Sequence, residues 1–354
     1  MATYKSIKYL VPVEAVEHTD SINALNDVDT VTASPTDGQT IKWNGTNWVP
    51  SDIEEGASGT QKAIFGFGDN SAYYDGEIDL TNVTNLVSSS GVVATDTTGV
   101  GTARRELAAS SFGGDKAIFG FGYASNDQHT NITNLVSSSG IVATDTTGVG
   151  SVRSRLAAAG YGGDKGIFGF GIGGNYYSIT NLVSNTGVVA TDTSGASGVT
   201  VRLYPSAASY GDDKAIFGFG NDGDYGSDIT NLVSNTGVMA SDTTGVGTAR
   251  EQGAATGYGG DKAIFAFGMN SSYSRINTSN LVSNIGVVSS DVTGVGTSRM
   301  GSAAAVYGGD KAIFGFGFTG SNTNVTNLVS NAGVVASDTT GVGTARHSLA
   351  AASY

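Results

Sequence analysis

The sequence predicts an all-β protein, six copies of a four-stranded antiparallel unit set around an axis, with a small separate β module ahead of them. Three observations predict it. Glycine supplies 53 of 354 residues while charged residues make up only 14 %, a composition that suits short strands joined by tight turns. The phrase KAIFGFG, or a one-residue variant of it, begins at Lys62, Lys116, Lys165, Lys214, Lys262 and Lys311, at spacings of 54, 49, 49, 48 and 49 residues. The chain also ends on TARHSLAAASY, a phrase that runs on into GGDK and KAIFGFG in earlier copies.

Each repeat reads as four segments of four to seven residues bounded by Gly, Asn or Asp: A (LAAASY), B (KAIFGFG), C (TNLVSN) and D (GVVATD). Segments of that length between turn residues predict strands, not helices. In B, strict alternation puts Ala63, Phe65 and Phe67 on one side and Ile64 and Gly66 on the other, so both faces are expected to be covered. The Gly between the two Phe leaves space for a neighbour's ring, and the Ala and Ser of A suit strands crowded round an axis. A four-stranded sheet of about 49 residues packed face to face between its own copies is a propeller blade. The first copy, from near Gly56, has B, C and D but no A, and residues 344–354 supply an A with no B. The expectation is a six-bladed β-propeller over residues 56–354, closed by the C-terminal strand.

Residues 1–55 do not match the repeat and hold both tryptophans, Trp43 and Trp48. TIKWNGTNWVP reads as a hairpin about Asn44-Gly45, because Asn-Gly supplies the positive φ angles of a tight hairpin turn.

The bulk properties exclude several function classes. A net charge of −13 without a basic block removes the electrostatic footprint of a nucleic-acid binder and disfavours an anionic membrane. No stretch reaches the roughly 20 apolar residues of a membrane span, and the N-terminus, interrupted by Pro12 and Glu14, does not read as a secretory signal. The absence of cysteine excludes disulfides and thiolate chemistry. His18, His129 and His347 lack ligand spacing. The G-x-G of GVGTAR opens no helix, which removes the phosphate-cradle reading. Asp222 and Asp224 fall far short of a calcium loop and read as a solvated turn.

Two sets of residues repeat six times: Arg104, Arg153, Arg202, Arg250, Arg299 and Arg346, and Asp96, Asp145, Asp192, Asp242, Asp291 and Asp338. The arginines read as structural, each holding the D-to-A turn through a carboxylate or backbone carbonyls; an anion-binding funnel is the alternative. An active site needs unlike residues at one point, and a glycan-cleaving enzyme needs a carboxylate pair that breaks the repeat. Neither is read here, so the chain is expected to be no enzyme and to carry no cofactor or metal.

Variation concentrates between B and C, in loops that antiparallel topology places at one end together with the D-to-A turns. Their aromatic residues and histidine, Tyr73, Tyr74, Tyr123, His129, Tyr176, Tyr177, Tyr225, Tyr273 and Phe318, stand among Asn, Asp and Ser. Such a mixture can stack on sugar rings or make an amphipathic protein contact, and these are the candidate binding residues.

Two resemblances extend this reading. TARHSLAAASY, joined to the GGDK and KAIFGFG that follow it in other copies, resembles the core of kelch-repeat propellers, where an Arg-containing turn precedes an inner strand and a second strand ends in glycines. The chain departs from that pattern in lacking outer-strand Tyr and Trp and in having GFG for a double glycine. Residues 25–52, LNDVDTVTASPTDGQTIKWNGTNWVPSD, resemble a segment found in tail-fibre and other virion structural proteins of tailed bacteriophages, especially those of cyanobacteria. That resemblance implies a virion location, with residues 1–55 as an attachment module contacting other virion proteins through Trp43 and Trp48. It implies a fibre or appendage protein whose loop face meets a host-surface glycan or protein. A capsid decoration or connector protein that contacts only other virion proteins is the alternative. Oligomeric state, receptor and position in the particle stay open.

Overall fold

A computed structural model describes residues 46–49, 62–71, 78–125, 128–223 and 226–354, together with the backbone of the strands Gln39–Trp43 and Trp48–Asp52. The chain divides into two compact units, Met1–Gly56 and Ala57–Tyr354. In the first, Gln39–Trp43 pairs antiparallel with Trp48–Asp52, with Trp43 opposite Trp48 in the register. Asn44 and Gly45 themselves lie outside the described residues.

The second unit is all-β: the described residues contain no helix and form small antiparallel sheets. Within each repeat B pairs with A on one side and C on the other. In the second repeat Lys116–Ala124 lies between Ala108–Phe112 and Gln128–Val136. The first B strand, Ala63–Asp69, takes its A partner from the far end of the sequence, Ala350–Ser353, in the register Ser353↔Ala63 and Ala350↔Gly66. The A strands neighbour one another in the order Ala350–Ser353, Ala108–Phe112, Ala157–Tyr161, Ser206–Tyr210, Ala254–Tyr258 and Ala303–Tyr307, and the last neighbours the first.

The expected fourth strand is corrected. D forms no continuous strand; it touches C through two isolated bridges, Val87↔Val93 and Thr84↔Thr97 in the first repeat, with equivalents in the others. Two residues of C, 85 and 86, face three of D, 94–96, between these bridges, so one extra D residue bulges out and interrupts the ladder. Each repeat therefore builds its sheet from A, B and C with a bulged outer margin, and in the second repeat the short strand Arg104–Arg105 also pairs with Lys116–Ala124.

The alternation expected for B is corrected as well. The second Phe of every copy has a positive φ, from 61° to 67°, at Phe67, Phe121, Phe170, Phe219, Phe267 and Phe316. Pairing with C shifts register there, between Gly66 and Gly68 and between Gly120 and Gly122. This bulge turns Phe67 to the side of Ile64, where both pack with Ala117 and Phe119 of the next sheet. Ala63 and Phe65 pack on the opposite side with Ile313 and Phe316. The space over the glycine is used as expected: a Cβ on Gly66 would lie 2.9 Å from the Phe119 ring.

Burial follows from these two faces. Ala63, Ile64, Phe65 and Phe67 are 0 % exposed, as are their counterparts at Ala117, Ile118, Phe119 and Phe121. Aromatic pairs with centroids 5.0–5.4 Å apart join successive sheets: Phe67–Phe119, Phe121–Phe168, Phe170–Phe217, Phe219–Phe265 and Phe267–Phe314, with Phe65–Phe316 joining the first sheet to the sixth.

Candidate functional site

The repeated arginines occupy the contacts between sheets. Arg104 is fully buried; its Nε donates to the Phe121 carbonyl at 2.8 Å, Nη1 to the Thr102 carbonyl at 3.0 Å and Nη2 to Asn134 Oδ1 at 2.7 Å. Its guanidinium lies 4.3 Å from the Phe67 ring centre on the preceding sheet. Asn134 donates in turn to Asp145 at 2.8 Å, and Asp145 accepts from the backbone N–H and hydroxyl of Thr102 at 3.0 and 2.6 Å. Burial pushes the Arg104 guanidinium down to about 10, against the pull of the Asp145 charge. Burial pushes the Asp145 carboxyl upward, but bonds from Thr102 and Asn134 outweigh it and leave the group below its ordinary value.

Every repeat stacks its arginine on the preceding sheet's second Phe at 3.8–4.6 Å, and Arg346 does so on Phe316. The arrangement explains the left-handed Phe. The Phe121 carbonyl accepts from Arg104, its ring lies under Arg153, and the next amide, Gly122 N–H, donates to the Arg153 carbonyl at 2.9 Å. Three contacts hold a backbone conformation that costs about 1–3 kcal/mol by itself. With all six arginines 0–1 % exposed, their cationic groups are interior parts, not a solvent-facing funnel.

The loop residues expected to bind are scattered in exposure. Tyr273 is 70 % and Tyr176 40 % exposed. Tyr177 is half-buried, its hydroxyl 3.5 Å from the Gly173 carbonyl. Tyr123 and His129 are half-buried and meet edge to face at 5.2 Å, with the Arg105 guanidinium 5.5 Å from the tyrosine ring centre. Phe318 is corrected: at 2 % exposure it packs with Met269 and Met300 and meets His347 edge to face, so it belongs to the interior. Tyr73, Tyr74, Tyr225 and the Trp43 side chain lie outside the described residues, while Trp48 is half-buried.

A cluster that the sequence reading missed gathers at the same end. Two residues after each repeated arginine stand Glu106, Arg155, Tyr204, Gln252, Gly301 and Ser348, six different residue types with φ between 50° and 62°. They come together from six sheets: Glu106 N–H donates to the Ser348 carbonyl at 2.8 Å, Arg155 to Glu106 at 2.9 Å, Tyr204 to Arg155 at 2.8 Å, Gly301 to Gln252 at 2.9 Å and Ser348 to Gly301 at 2.8 Å. Together they line a cavity of about 100 Å³.

Three consecutive members form a compact polar group. Glu106 Oε1 accepts from the Tyr204 hydroxyl at 2.7 Å, and Oε2 from Arg155 Nε at 2.9 Å and from Ser154 Oγ at 3.1 Å. Arg155 also lies 5.0 Å from the Tyr204 ring centre. The residues immediately after the arginines differ too. Arg105 pairs with the buried Asp69; His347 is buried, which lowers its affinity for a proton; and burial raises the Glu251 carboxyl. The two positions after each arginine break an otherwise near-uniform run, and that break was visible in an alignment of the copies.

No known protein family and no curated protein matches the chain.

Proposed function

We propose that this chain is a structural protein of a tailed-phage virion, a fibre or appendage component, in which the six sheets are the blades of a closed six-bladed β-propeller and the loop end faces the host surface. The propeller reading is supported by one narrow cavity of about 80 Å³ lined by Ala, Ser, Gly, Thr and Val from all six A strands. Small side chains are what converging inner strands require. The pairing of Ala350–Ser353 with Ala63–Asp69 completes the first blade with a strand from the far end of the sequence, and Ala303–Tyr307 of the sixth neighbours that strand.

The observation that carries the functional reading is where the repeats depart from one another. Framework arginines, aspartates, phenylalanines and small inner-strand residues recur in every copy, whereas the B-to-C loops and the two positions after each arginine do not. Both sets lie at one end, since Arg104–Arg105 pairs with Tyr123–Ala124 at the end of B. A surface individual in every sector, on a scaffold uniform in every sector, suits recognition of an irregular partner. The resemblance of residues 25–52 to phage virion proteins supplies the setting, with residues 1–55 as the attachment module.

The test uses exposed loop residues. Tyr176→Ser with Tyr273→Ser removes two accessible aromatics and is expected to move the melting temperature by only about 1–2 °C. Particles carrying the variant are expected to assemble at normal copy number and adsorb to host cells more weakly. Normal adsorption by this variant, and by matching changes in the other loops, would sink the host-facing assignment.

A second reading, a connector contacting only other virion proteins, is favoured by the opposite end. Val92, Ile141, Val188, Val238, Val287 and Val334, one in each repeat's C-to-D turn, are 60–68 % exposed, an unusual regularity for apolar side chains in water. Under that reading Val188→Asp with Val238→Asp lowers incorporation into particles while the loop substitutions change nothing.

A further inference from the structure

We propose that the cavity between Glu106, Arg155, Tyr204, Gln252, Gly301 and Ser348 is a binding site for one edge of a neutral saccharide unit. The inference rests on the loop end facing the host and locates a recognition site at its centre.

Four observations lead there. The fold accepts six different side chains at this position with one backbone conformation, and five of the six N–H groups donate to the carbonyl of the preceding copy, so folding does not demand any one side chain. Glycine, the residue best suited to a positive φ, occurs once, at Gly301; the other copies keep side chains where glycine would relieve strain. Those side chains are arranged asymmetrically: Glu106, Arg155 and Tyr204 make a bonded wall, and Gly301 and Ser348 leave the other side open. The wall is also accessible, because the Arg155 side chain is 35 % exposed although that of Glu106 is only 8 % exposed.

The chemistry of the lining selects the ligand class. Arg155 compensates the Glu106 charge at 2.9 Å, so a strongly cationic or anionic group meets a charge of its own sign within the same wall, and the chain's net −13 further opposes anions. The lining sets carboxylate, phenol, guanidinium, amide and hydroxyl groups beside the apolar Leu107, Leu156, Pro205 and Leu349, a mixture whose polar groups match hydroxyls that donate and accept at once. Glu106 accepts three bonds of the roughly four a carboxylate can take. The Tyr204 ring supplies a flat apolar surface of the kind a sugar's C–H face packs on. The cavity, about 100 Å³, is several times the roughly 10–15 Å³ that one water needs. It holds a vicinal diol or hydroxymethyl edge, with the rest of the glycan outside among the loops.

The experiment compares the full chain with the triple variant Glu106→Gly, Arg155→Gly, Tyr204→Gly, and with Gly301→Gln, which puts into the open side a residue the fold already carries at Gln252. Saturation-transfer NMR with glucose, galactose, N-acetylglucosamine and rhamnose is expected to find at least one binding the wild type with a Kd of about 1–10 mM. Both variants are expected to weaken that sugar by about tenfold or more, with the glycine variant melting at or above the wild-type temperature. Three results each overturn the proposal: no sugar binding to wild type, equal binding to both variants, or a glycine variant that loses cooperative melting. If adsorption falls in the Tyr176/Tyr273 variant while sugar binding is absent throughout, the pocket assignment fails and the host-facing reading stands. If the pocket binds a sugar but no loop-end variant alters adsorption, the reverse holds.

Discussion

Arg104 shows how a single residue type, repeated, ties neighbouring sheets. It is bonded to its own sheet through Phe121 and Asn134 and stacked on the sheet before through Phe67, so deleting it damages both. Arg104→Ala leaves the Phe121 carbonyl and Asn134 Oδ1 buried without a donor and is expected to cost about 3–5 kcal/mol. Arg104→Lys keeps the charge but loses the planar fork and the stack, and is expected to recover only part of that. Urea denaturation measures both; a lysine variant as stable as wild type would show that charge alone, not the fork, holds the contact. A second residue-scale feature is Gly101, whose φ of 87° and whose position, with a Cβ 2.5 Å from Asn134 Nδ2, leave no room for any other side chain beside this network.

Among elements, the A strand has the simplest sequence and the largest architectural role. Five A strands reach their B partners through short turns such as 162–164; the sixth, Ala350–Ser353, reaches Ala63–Asp69 with no turn. Its last pairing is nonetheless the ordinary one, since Lys62 and Tyr354 exchange backbone bonds at 3.1 and 2.8 Å as adjacent hairpin residues do. A circular permutant of residues 62–354 follows from this equivalence, with Gly-Gly-Asp linking Tyr354 to Lys62 and new termini between Gly163 and Asp164. It is expected to unfold cooperatively, within about 1 kcal/mol of the parent at the same temperature, because exposed turn tips tolerate new termini. Loss of cooperative unfolding in the permutant would show that the third sheet needs its own hairpin connection in a way the first does not.

At the scale of the whole molecule, repetition makes small ionic effects collective. The carboxyls of Asp96, Asp145, Asp192, Asp242, Asp291 and Asp338 all lie below their ordinary value, since hydrogen bonds from a Thr or Ser and an Asn outweigh the upward push of burial. Each contribution is complete above the unfolded aspartate value of about 3.9 and is lost as pH falls through the lower folded value. His129 and His347 act earlier: burial lowers both, so below about 6.5 the unfolded chain takes up protons that the fold does not, and stability declines. Two stages are therefore expected, a shallow loss from pH 6.5 downward and a steep one below pH 4. Denaturant midpoints at pH 7, 5 and 3 check the order. A midpoint unchanged between pH 5 and 3 would show that the aspartates are not linked to folding.

What the sequence determined by itself was whatever recurs at fixed spacing. KAIFGFG, LAAASY and TNLVSN each carry apolar or small residues between turn residues, and such segments have few conformations open to them, so all-β class, repeat count and strand order within a repeat were legible. Local alternation misled at Phe67 and its counterparts. Nothing within KAIFGFG announces a left-handed Phe; the Arg104 stack and the Arg346 bond that hold it come from segments 37 residues further on and from the far end of the chain. D failed as a strand for a similar reason, since its bulge accommodates an aspartate bonded to a threonine from another repeat. Phe318 looked like a loop aromatic because its neighbours Met269, Met300 and His347 are distant in sequence. The cluster two residues after the arginines was hidden more deeply still, because Glu106, Arg155 and Tyr204 are about one repeat apart and mean nothing singly. Only the tertiary structure, by bringing equivalent positions of successive sheets within hydrogen-bond reach, gathers them into one cluster.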